Sequence, residues 1–579
     1  MKLNAIKLAL FMGVFISSSG NAKLFSSENE ASRNLDLLEK QRMQEEVEEE
    51  KKQEKIIYDN NSKDDFLINN SHSKSDIKFK IKKINIENDN IFDLSSQRNK
   101  IIESYIDTDM GYAEVIKLIT ELTNFYIAKG YITTQATIVP GSLKNGELDI
   151  RILWGTLLGF EKNGAAPDWR DKIRLFSAMP FAKNKLLTIS DIDQALDNLM
   201  RVSPLDRLQI MPTDQTGISK INHISKSIFP LSIHAGMNNS GYKESGWGQY
   251  YLSSSLKNMV GINDVLNYYY SYNDLNAKKD KQSSRSISYS FPIGYWTADL
   301  SYYKSQYNKI IGGMYNGGYK SDGSSERYSL KLSRLIFRNS NGKITSYLKT
   351  EHRKNNNNIM NMPITVSSKN YSSITGGLTW VGPFYNGWGY SDLSVTAGRP
   401  WFNATWKKDP DLKGFDIDYK KINGVINWSK TIFDLIPNRL SIDYDFNGAF
   451  QYTTDSLVSE AKYTIGDEYT VRGYKESSVS AERAAWVSHT VKIPIIVNYA
   501  TIYRVSPFIG MDFGMARKNC PSESTCPKDY MSGAAAGVKL NSKYFNGSFG
   551  AGWPMKKPKS LENTKIDNYT VYFNFDLDF

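Results

Sequence analysis

The sequence has little cysteine and histidine, and it lacks the short motifs on which catalytic and cofactor sites usually depend. Two cysteines and five histidines occur in 579 residues. The histidines show no HExxH or comparable ligand spacing, and the chain contains no Walker loop, dinucleotide fingerprint or GxSxG elbow. We therefore expect no enzyme activity, no cofactor and no metal site.

The two cysteines, Cys520 and Cys526, lie close together in the segment RKNCPSESTCPKD. In an oxidising compartment this arrangement favours a small disulfide loop over a pair of free thiols. A metal site is the alternative, and the absence of a nearby histidine argues against it. We treat the two residues as a candidate disulfide.

Long apolar runs are also missing. No stretch of the chain reaches the roughly 20 apolar residues that a membrane-spanning helix needs. At the N-terminus, Lys2 and Lys7 accompany a shorter apolar stretch from Leu8 to Ile16, and small residues follow at Gly20 to Ala22. This order is typical of a secretory signal peptide, which we assign to residues 1–22. If the mature chain lies in a membrane, it therefore spans that membrane with β-strands.

The formal charge of +11 is not concentrated in a basic block. Lysines and arginines are spread through the predicted strands and loops, without a base-stacking motif between them. We therefore expect no nucleic-acid partner, and charge in a water-filled lumen is the simpler explanation.

Aromatic residues and glycine are abundant, with 36 Tyr, 26 Phe, 11 Trp and 40 Gly, yet the mean hydropathy is −0.46. The last nine residues, VYFNFDLDF, alternate strictly between apolar and polar and end on Phe579. One face of such a strand suits lipid and the other suits water, which is typical of the closing strand of an outer-membrane barrel. Phe579 is then the C-terminal outer-membrane signal. A large secreted soluble β-protein is the alternative.

The same period of two begins near Phe229. In RLSIDYDFNGAFQY, TADLSYY and RYSLKLS the apolar side chains share one face, and short connections (residues 339–342 and 383–388) alternate with long ones (314–325 and 355–369). The 351 residues from 229 to 579 provide for about sixteen strands of about 10 residues. We predict a mainly β protein with a 16-stranded antiparallel transmembrane β-barrel over residues 229–579.

The region before the barrel has a different pattern. Residues 23–57 are dense in Glu, Lys, Gln and Arg and form either a solvated helix or a disordered spacer, and residues 58–77 are a polar linker. Two α+β modules follow at 78–155 and 156–228. In the second, ISDIDQALDNLMRV predicts a helix with Ser190 as its N-cap and Pro204 marking its end.

These motifs make the chain resemble the TpsB family of two-partner secretion transporters (ShlB/FhaC/HecB-like proteins), within the superfamily of the barrel-assembly factor BamA. KGYITTQATIVPGSLKNGELDIRILWG and DIDQALDNLMRVSPLDRLQIMPTDQTGISKI resemble parts of its two periplasmic POTRA domains. VRGY at 471–474 resembles the signature of the long sixth external loop, and FIGMDFG at 508–514 resembles a barrel-strand motif. The family often has Asp-Asn-x-Gly in its first external loop, where this chain has Asn238 to Gly241, so we place no functional charge there.

The resemblance implies roles for particular residues. It implies a salt bridge between Arg472 of the loop and Asp512 of the barrel, because a guanidinium can bond a carboxylate bidentately. It also implies that residues 23–57 are a plug helix that lies in the pore at rest. The implied motif residues are Val471, Arg472, Gly473 and Tyr474 in the loop, with Phe508, Asp512 and Gly514 in the barrel.

The resemblance further implies the function. An outer-membrane transporter of a Gram-negative bacterium, with its N-terminal region in the periplasm, would bind an unfolded TpsA-type exoprotein through the POTRA domains and translocate it without ATP. That partner would be a haemolysin, an adhesin or a contact-dependent toxin. Outer-membrane lipid and the barrel-assembly machinery are the other expected partners. A BamA-like assembly factor is the main alternative, since it shares VRGY, and a passive porin leaves residues 79–228 unexplained.

Overall fold

The computed structural model describes residues 30–60, 78–89, 91–140, 146–242, 246–275, 281–312, 318–407, 409–412, 414–499, 501–519 and 528–579. The predicted signal peptide and the candidate disulfide between Cys520 and Cys526 lie outside the described residues.

The first described element is a single long helix, α1, from Glu30 to Asn60. Its 31 residues give a length of about 46 Å at the usual rise per residue. Most of its side chains are charged, and Leu35, Val47 and Ile57 are among its few buried apolar ones. Of the two alternatives for this segment, helix is therefore correct. In the part of the chain that the structure describes, no helix is long and apolar enough to cross a membrane.

The first small domain has, in order along the chain, a strand, two helices and two strands, and Phe79–Lys80 pairs with Asp109–Met110 as a separate two-residue ladder. Its elements are β1 (Lys83–Glu87), α2 (Ser95–Glu103), α3 (Tyr112–Ala128), β2 (Gln135–Ile138) and β3 (Glu147–Leu153). The sheet has β3 in its centre, parallel to β1 and antiparallel to β2. Leu118, Leu122 and Tyr126 of α3 are fully buried against this sheet.

The second small domain repeats this arrangement. It comprises β4 (Thr156–Lys162), α4 (Trp169–Ala178), α5 (Ile189–Met200), β5 (Arg207–Pro212) and β6 (Ile218–Ile224), with β6 in the centre of the sheet. The predicted N-cap of α5 was wrong. Thr188 caps the helix by accepting a hydrogen bond from the Asp191 amide, and Ser190 lies within the first turn because α5 begins at Ile189, two residues earlier than a Ser190 cap predicts.

Within the described residues, sixteen antiparallel strands form the closed barrel, which confirms the predicted fold class. They are β7 (Leu231–Asn238), β8 (Gly248–Lys257), β9 (Val265–Leu275), β10 (Lys281–Ile293), β11 (Trp296–Gly312), β12 (Gly318–Asn339), β13 (Gly342–Ile359), β14 (Asn370–Phe384), β15 (Gly387–Arg399), β16 (Lys420–Ile436), β17 (Leu440–Tyr452), β18 (Arg483–Lys492), β19 (Ile502–Arg517), β20 (Asp529–Ser542), β21 (Phe545–Lys556) and β22 (Thr570–Asp578). Ile495–Tyr499 is a short strand that extends the sheet beyond β18.

The two faces of the barrel wall differ as the alternation predicts. On β12, Leu330 and Leu332 point outward and are 46% and 44% exposed, whereas Ser325 and Arg327 point inward and are buried. Apolar groups exposed in this way suit hydrocarbon, and polar groups suit a wet interior.

The two connections predicted as long loops, residues 314–325 and 355–369, belong in part to strands. Residues 318–325 and 355–359 belong to β12 and β13, which pair as far as Ser321 and Ile359. Their ladder continues through polar residues because backbone pairing stabilises a hairpin whichever side chains it carries.

Candidate functional site

The lumen of the barrel is occupied by two polypeptide segments, the loop 453–482 and helix α1. The loop connects β17 to β18, and within it Tyr463–Ile465 pairs with Val479–Ala481 as a short hairpin. Ile465, Val471 and Tyr474 are at most 1% exposed and pack with Ala516 and Met531 of the wall. The loop therefore folds back into the barrel instead of extending from it.

Arg472 and Asp512, the pair implied by the family motifs, are in direct contact. Arg472 Nε lies 2.7 Å from Asp512 Oδ2, and Nη2 lies 2.6 Å from Oδ1. The Arg472 backbone amide donates to the same carboxylate over 2.9 Å, and Nη2 also lies 3.2 Å from the hydroxyls of Ser488 and Thr490. Asp512 is fully buried. A bidentate pair of this kind fixes the orientation of the loop tip as well as its distance from the wall.

The neighbouring loop residues bond to three more strands. Gly473 has a φ of +99°, which favours glycine, and its amide donates to the Tyr572 hydroxyl over 2.8 Å. The Tyr474 hydroxyl donates to the carbonyls of Ser532, over 2.9 Å, and Lys556. The loop tip therefore contacts β19, β20, β21 and β22.

Glycines of the wall make room for the loop, and sequence reasoning identified only one of them. A Cβ on Gly514 would lie 2.8 Å from Val471 Cγ2, and one on Gly533 would lie 2.0 Å from the Arg472 carbonyl oxygen. A Cβ on Gly510 would meet the Arg472 guanidinium at 2.2 Å. The sequence signal that could have revealed them is the recurrence of glycine on the inward face of two adjacent strands, at Gly510 and Gly514 of β19 and at Gly533 of β20. Phe508 lies further along β19, where its ring occupies the space beside Gly537.

The N-terminal half of α1 bonds to both the wall and the loop. Asp36 lies 2.6 Å from Arg327 and 2.9 Å from Arg353, which belong to β12 and β13. One turn further along the same face of the helix, Lys40 Nζ lies 2.6 Å from Asp467 of the loop. Arg33, also on this face, contacts the ring face of Tyr242 at 4.0 Å. Charged side chains on this face of α1 therefore meet opposite charges on both the wall and the loop.

The C-terminal half of α1 meets a cluster of charges at the periplasmic end of the barrel. Arg338 and Lys343 flank the turn between β12 and β13, and they lie 3.0 Å from Glu54 and 2.7 Å from Glu50 respectively. The same two cations lie 2.8 and 3.3 Å from Asp197 of α5. We call these five residues the Asp197 cluster. It joins the helix, the barrel and the second small domain at one place.

The second small domain also bonds directly to the barrel rim. The Gly294 amide donates to Ser177 over 2.8 Å, and the Gly294 carbonyl accepts from Asn198 over 2.8 Å. Arg174 Nε donates to Asn263 over 2.9 Å while its Nη2 lies 2.5 Å from Asp206. Burial would raise the pKa of Asp206, but its interactions with His223 and Arg174 outweigh burial and lower that pKa below its ordinary value. Asp206 therefore stays ionised and keeps Arg174 oriented toward the rim.

The first and last strands close the barrel along a short ladder of five residue pairs, from Asn238 with Asn574 to His234 with Asp578. Beyond the end of the ladder, the Asn239 side chain donates to the Val571 carbonyl over 2.6 Å and accepts from the Phe573 amide over 2.9 Å. At the other end, the amide of Phe579 donates to the Ile233 carbonyl over 3.0 Å, and its ring is 76% exposed. Asn239, in the predicted first external loop, therefore adds two side-chain hydrogen bonds to the closure of the barrel.

Comparison with protein-family models finds three matches. Residues 217–540 match the family described as haemolysin secretion/activation protein ShlB/FhaC/HecB. Residues 79–155 match the ShlB-type POTRA domain, and residues 158–212 match a second POTRA model. The matches therefore include the two small domains and most of the barrel.

Individual proteins are similar over most of the chain. Outer membrane transporter CdiB of Dickeya dadantii (strain 3937) is 25% identical over 492 residues, which are 83% of this chain and 84% of that protein. Hemolysin transporter protein ShlB of Serratia marcescens is 25% identical over 410 residues, 69% of each chain. The solved structure of CdiB from Escherichia coli has a TM-score of 0.85 and 21% identity, and covers 96% of this chain and 100% of that one. That likeness establishes a shared fold.

Proposed function

This chain belongs to the haemolysin secretion/activation family ShlB/FhaC/HecB, and on that premise we propose how its barrel exports a partner protein. The predicted family, outer-membrane location and function as a two-partner secretion transporter are confirmed. The BamA-like alternative is not favoured, because the family that matches is one of secretion and activation proteins. The relatives are transporters, and we infer that this chain is likewise not an enzyme.

The observation on which the mechanism rests is that α1 lies in the lumen and is bonded to the barrel wall mainly through polar contacts. Asp36 and Glu54 of α1 each face arginines of the wall, at 2.6 to 3.0 Å. Bonds of this type exchange readily with water when water enters, whereas an apolar core does not. We infer that α1 is a plug that leaves the pore during secretion, and that Arg472 and Asp512 set the position of the loop while it does so.

The two small domains are suited to capture an unfolded chain. Within the described residues, β2 and β5 each pair with a neighbour on one side only. An extended segment of the exoprotein can add to such an edge by backbone hydrogen bonds, with side chains selected by the adjacent helix. Capture beside the Asp197 cluster brings the exoprotein close to the C-terminal end of the plug.

Folding outside the cell can make the movement unidirectional. The outer membrane faces no ATP, and folding buries apolar surface and satisfies backbone hydrogen bonds on the far side. A folded product cannot return through a barrel of this size.

The partner is a large secreted TpsA-type exoprotein. Two relatives are named as a CdiB transporter and a hemolysin transporter, which supports a contact-dependent toxin or a haemolysin as cargo, and an adhesin is the third class. Outer-membrane lipid surrounds the barrel, and the barrel-assembly machinery inserts it.

We expect a reading frame for a large secreted protein beside the gene of this transporter. The test is to identify that reading frame, to express it with and without the transporter, and to digest intact cells with protease. We expect the exoprotein at the surface only when the transporter is present. Export without the transporter would contradict the proposal. A general loss of other outer-membrane proteins when the transporter is removed would instead support an assembly factor.

A further inference from the structure

Helix α4 of the second small domain presents large apolar side chains on the face opposite its core. Trp169, Ile173 and Phe176 follow at spacings of four and three residues and are 66%, 39% and 48% exposed. Phe181, three residues beyond the helix, is 82% exposed, and its ring packs edge-to-face with that of Phe176 at 5.2 Å. A patch of this kind usually marks a contact with a partner or a membrane.

The position of α4 indicates which contact this is. Ser177 and Arg174 bond to Gly294 and Asn263, which lie in two periplasmic turns of the barrel. The neighbouring helix α5 faces the lumen, because its Asp197 bonds to the inward-pointing Arg338. Since the two helices pack side by side, α4 lies on the outer side of the rim, where the barrel wall meets lipid.

The two barrel turns that α4 contacts also carry exposed apolar side chains. Ile293 and Trp296, on either side of the turn that α4 contacts, point outward and are 46% and 44% exposed. Met259 and Val260, in the same turn as Asn263, are 52% and 59% exposed. Tryptophan at the end of a barrel strand is typical of the level of the lipid headgroups. Exposed apolar side chains therefore lie on both partners of the contact between α4 and the barrel rim.

We propose that α4 rests on the periplasmic leaflet of the outer membrane, with its aromatic side chains at the boundary between headgroups and acyl chains. Arg170 and Lys172 lie on the same helix, where long cationic side chains can reach lipid phosphates while the apolar residues stay below. This contact adds to the bonds at Gly294 and Asn263 and sets the tilt of the second domain beneath the barrel.

The test places the photo-cross-linker benzoylphenylalanine at Phe176 or Phe181 of the full-length protein in outer membranes. The replacement keeps an aromatic ring, and a heat-modifiable shift in electrophoretic mobility verifies that the barrel is folded. Thr216, exposed at the turn before β6, is the matched control position. We expect phospholipid adducts by mass spectrometry at 176 and 181, severalfold above those at 216.

Three results would overturn the proposal. Lipid adducts at 176 and 181 no more frequent than at 216 would show that the patch does not meet the membrane. Adducts mainly with residues 61–77 would identify the linker as the occupant. Adducts mainly with a co-expressed exoprotein would identify cargo.

Discussion

Among individual residues, Arg472 and Asp512 form the bidentate contact that holds the loop tip against the barrel wall. Removing one partner of a buried ion pair costs roughly 3–5 kcal/mol, because the other charge is left buried without compensation. Asp512 is fully buried, so Arg472→Ala should release the loop 453–482 from the wall. We expect faster protease cleavage of the loop and reduced secretion, with normal insertion of the barrel.

The matched control is Arg472→Lys, which keeps the charge but loses the bidentate geometry. It should give an intermediate effect on both readouts. Secretion and loop cleavage unchanged in Arg472→Ala would refute the role of the pair.

The glycines beneath the loop provide a second prediction at this scale. Gly533→Ala would bring a methyl group to 2.0 Å from the Arg472 carbonyl oxygen, so the loop has to move. Overpacking of this kind costs typically about 1–3 kcal/mol. We expect a lower temperature of loss of the folded, heat-modifiable form. The control is Gly376→Ala on another strand, where an added Cβ would meet no atom within 4 Å, so that temperature should not change. Equal shifts in the two variants would contradict the explanation.

The sequence alone predicted the contact of Arg472 with Asp512 but not the glycines of the wall that make room for the loop. Arg472 and Asp512 stand in motifs that resemble known ones, and the structure places them in contact. Gly510 and Gly533 belong to separate strands, and their relation to the loop exists only after the barrel has closed. Thr188 was missed as the N-cap for a simpler reason, since Ser190 lies two residues away and serine is generally the better N-cap residue.

At the scale of elements, α1 is stabilised by its surroundings more than by any apolar stripe. Its charges predicted a helix, but with few apolar positions the sequence did not identify what it packs against. The partners are Arg327, Arg338, Lys343 and Arg353 of the wall, and these cations lie in strands where nothing in the alternation distinguishes them from other inward-facing residues.

The Asp197 cluster leads to a prediction for the plug. In Glu50→Lys/Glu54→Lys, two cations of α1 would face Arg338 and Lys343 and repel them. We expect the backbone amides of residues 50–60 to exchange with deuterium faster in the full-length protein, measured by mass spectrometry.

Glu49→Lys is the matched control, because Glu49 is exposed in the lumen and carries the same charge. In this variant the backbone amides of residues 50–60 should exchange with deuterium at the same rate as in the unmodified protein. Equal exchange in the double variant and the unmodified protein would show that the cluster does not retain the helix.

At the scale of the whole molecule, three parts meet at one end of the barrel. These are the rim, which bonds to the second domain through Gly294, the second domain itself, and α1, which bonds to both through the Asp197 cluster. The loop bonds to α1 elsewhere, in the N-terminal half of the helix, through Asp467 and Lys40. Period-two alternation was sufficient to predict the barrel, because within each strand one set of alternate side chains faces lipid and the other faces the lumen. The contacts between parts were not predictable, because they join residues hundreds of positions apart.

We propose that the barrel is a conduit that α1 closes at rest. Single-channel recording in planar bilayers of the protein lacking residues 30–60 tests it most directly. We predict a clearly larger and more persistent conductance than that of the intact protein, since removing the helix leaves an aqueous path beside the loop. A conductance equal to that of the intact protein would contradict the account.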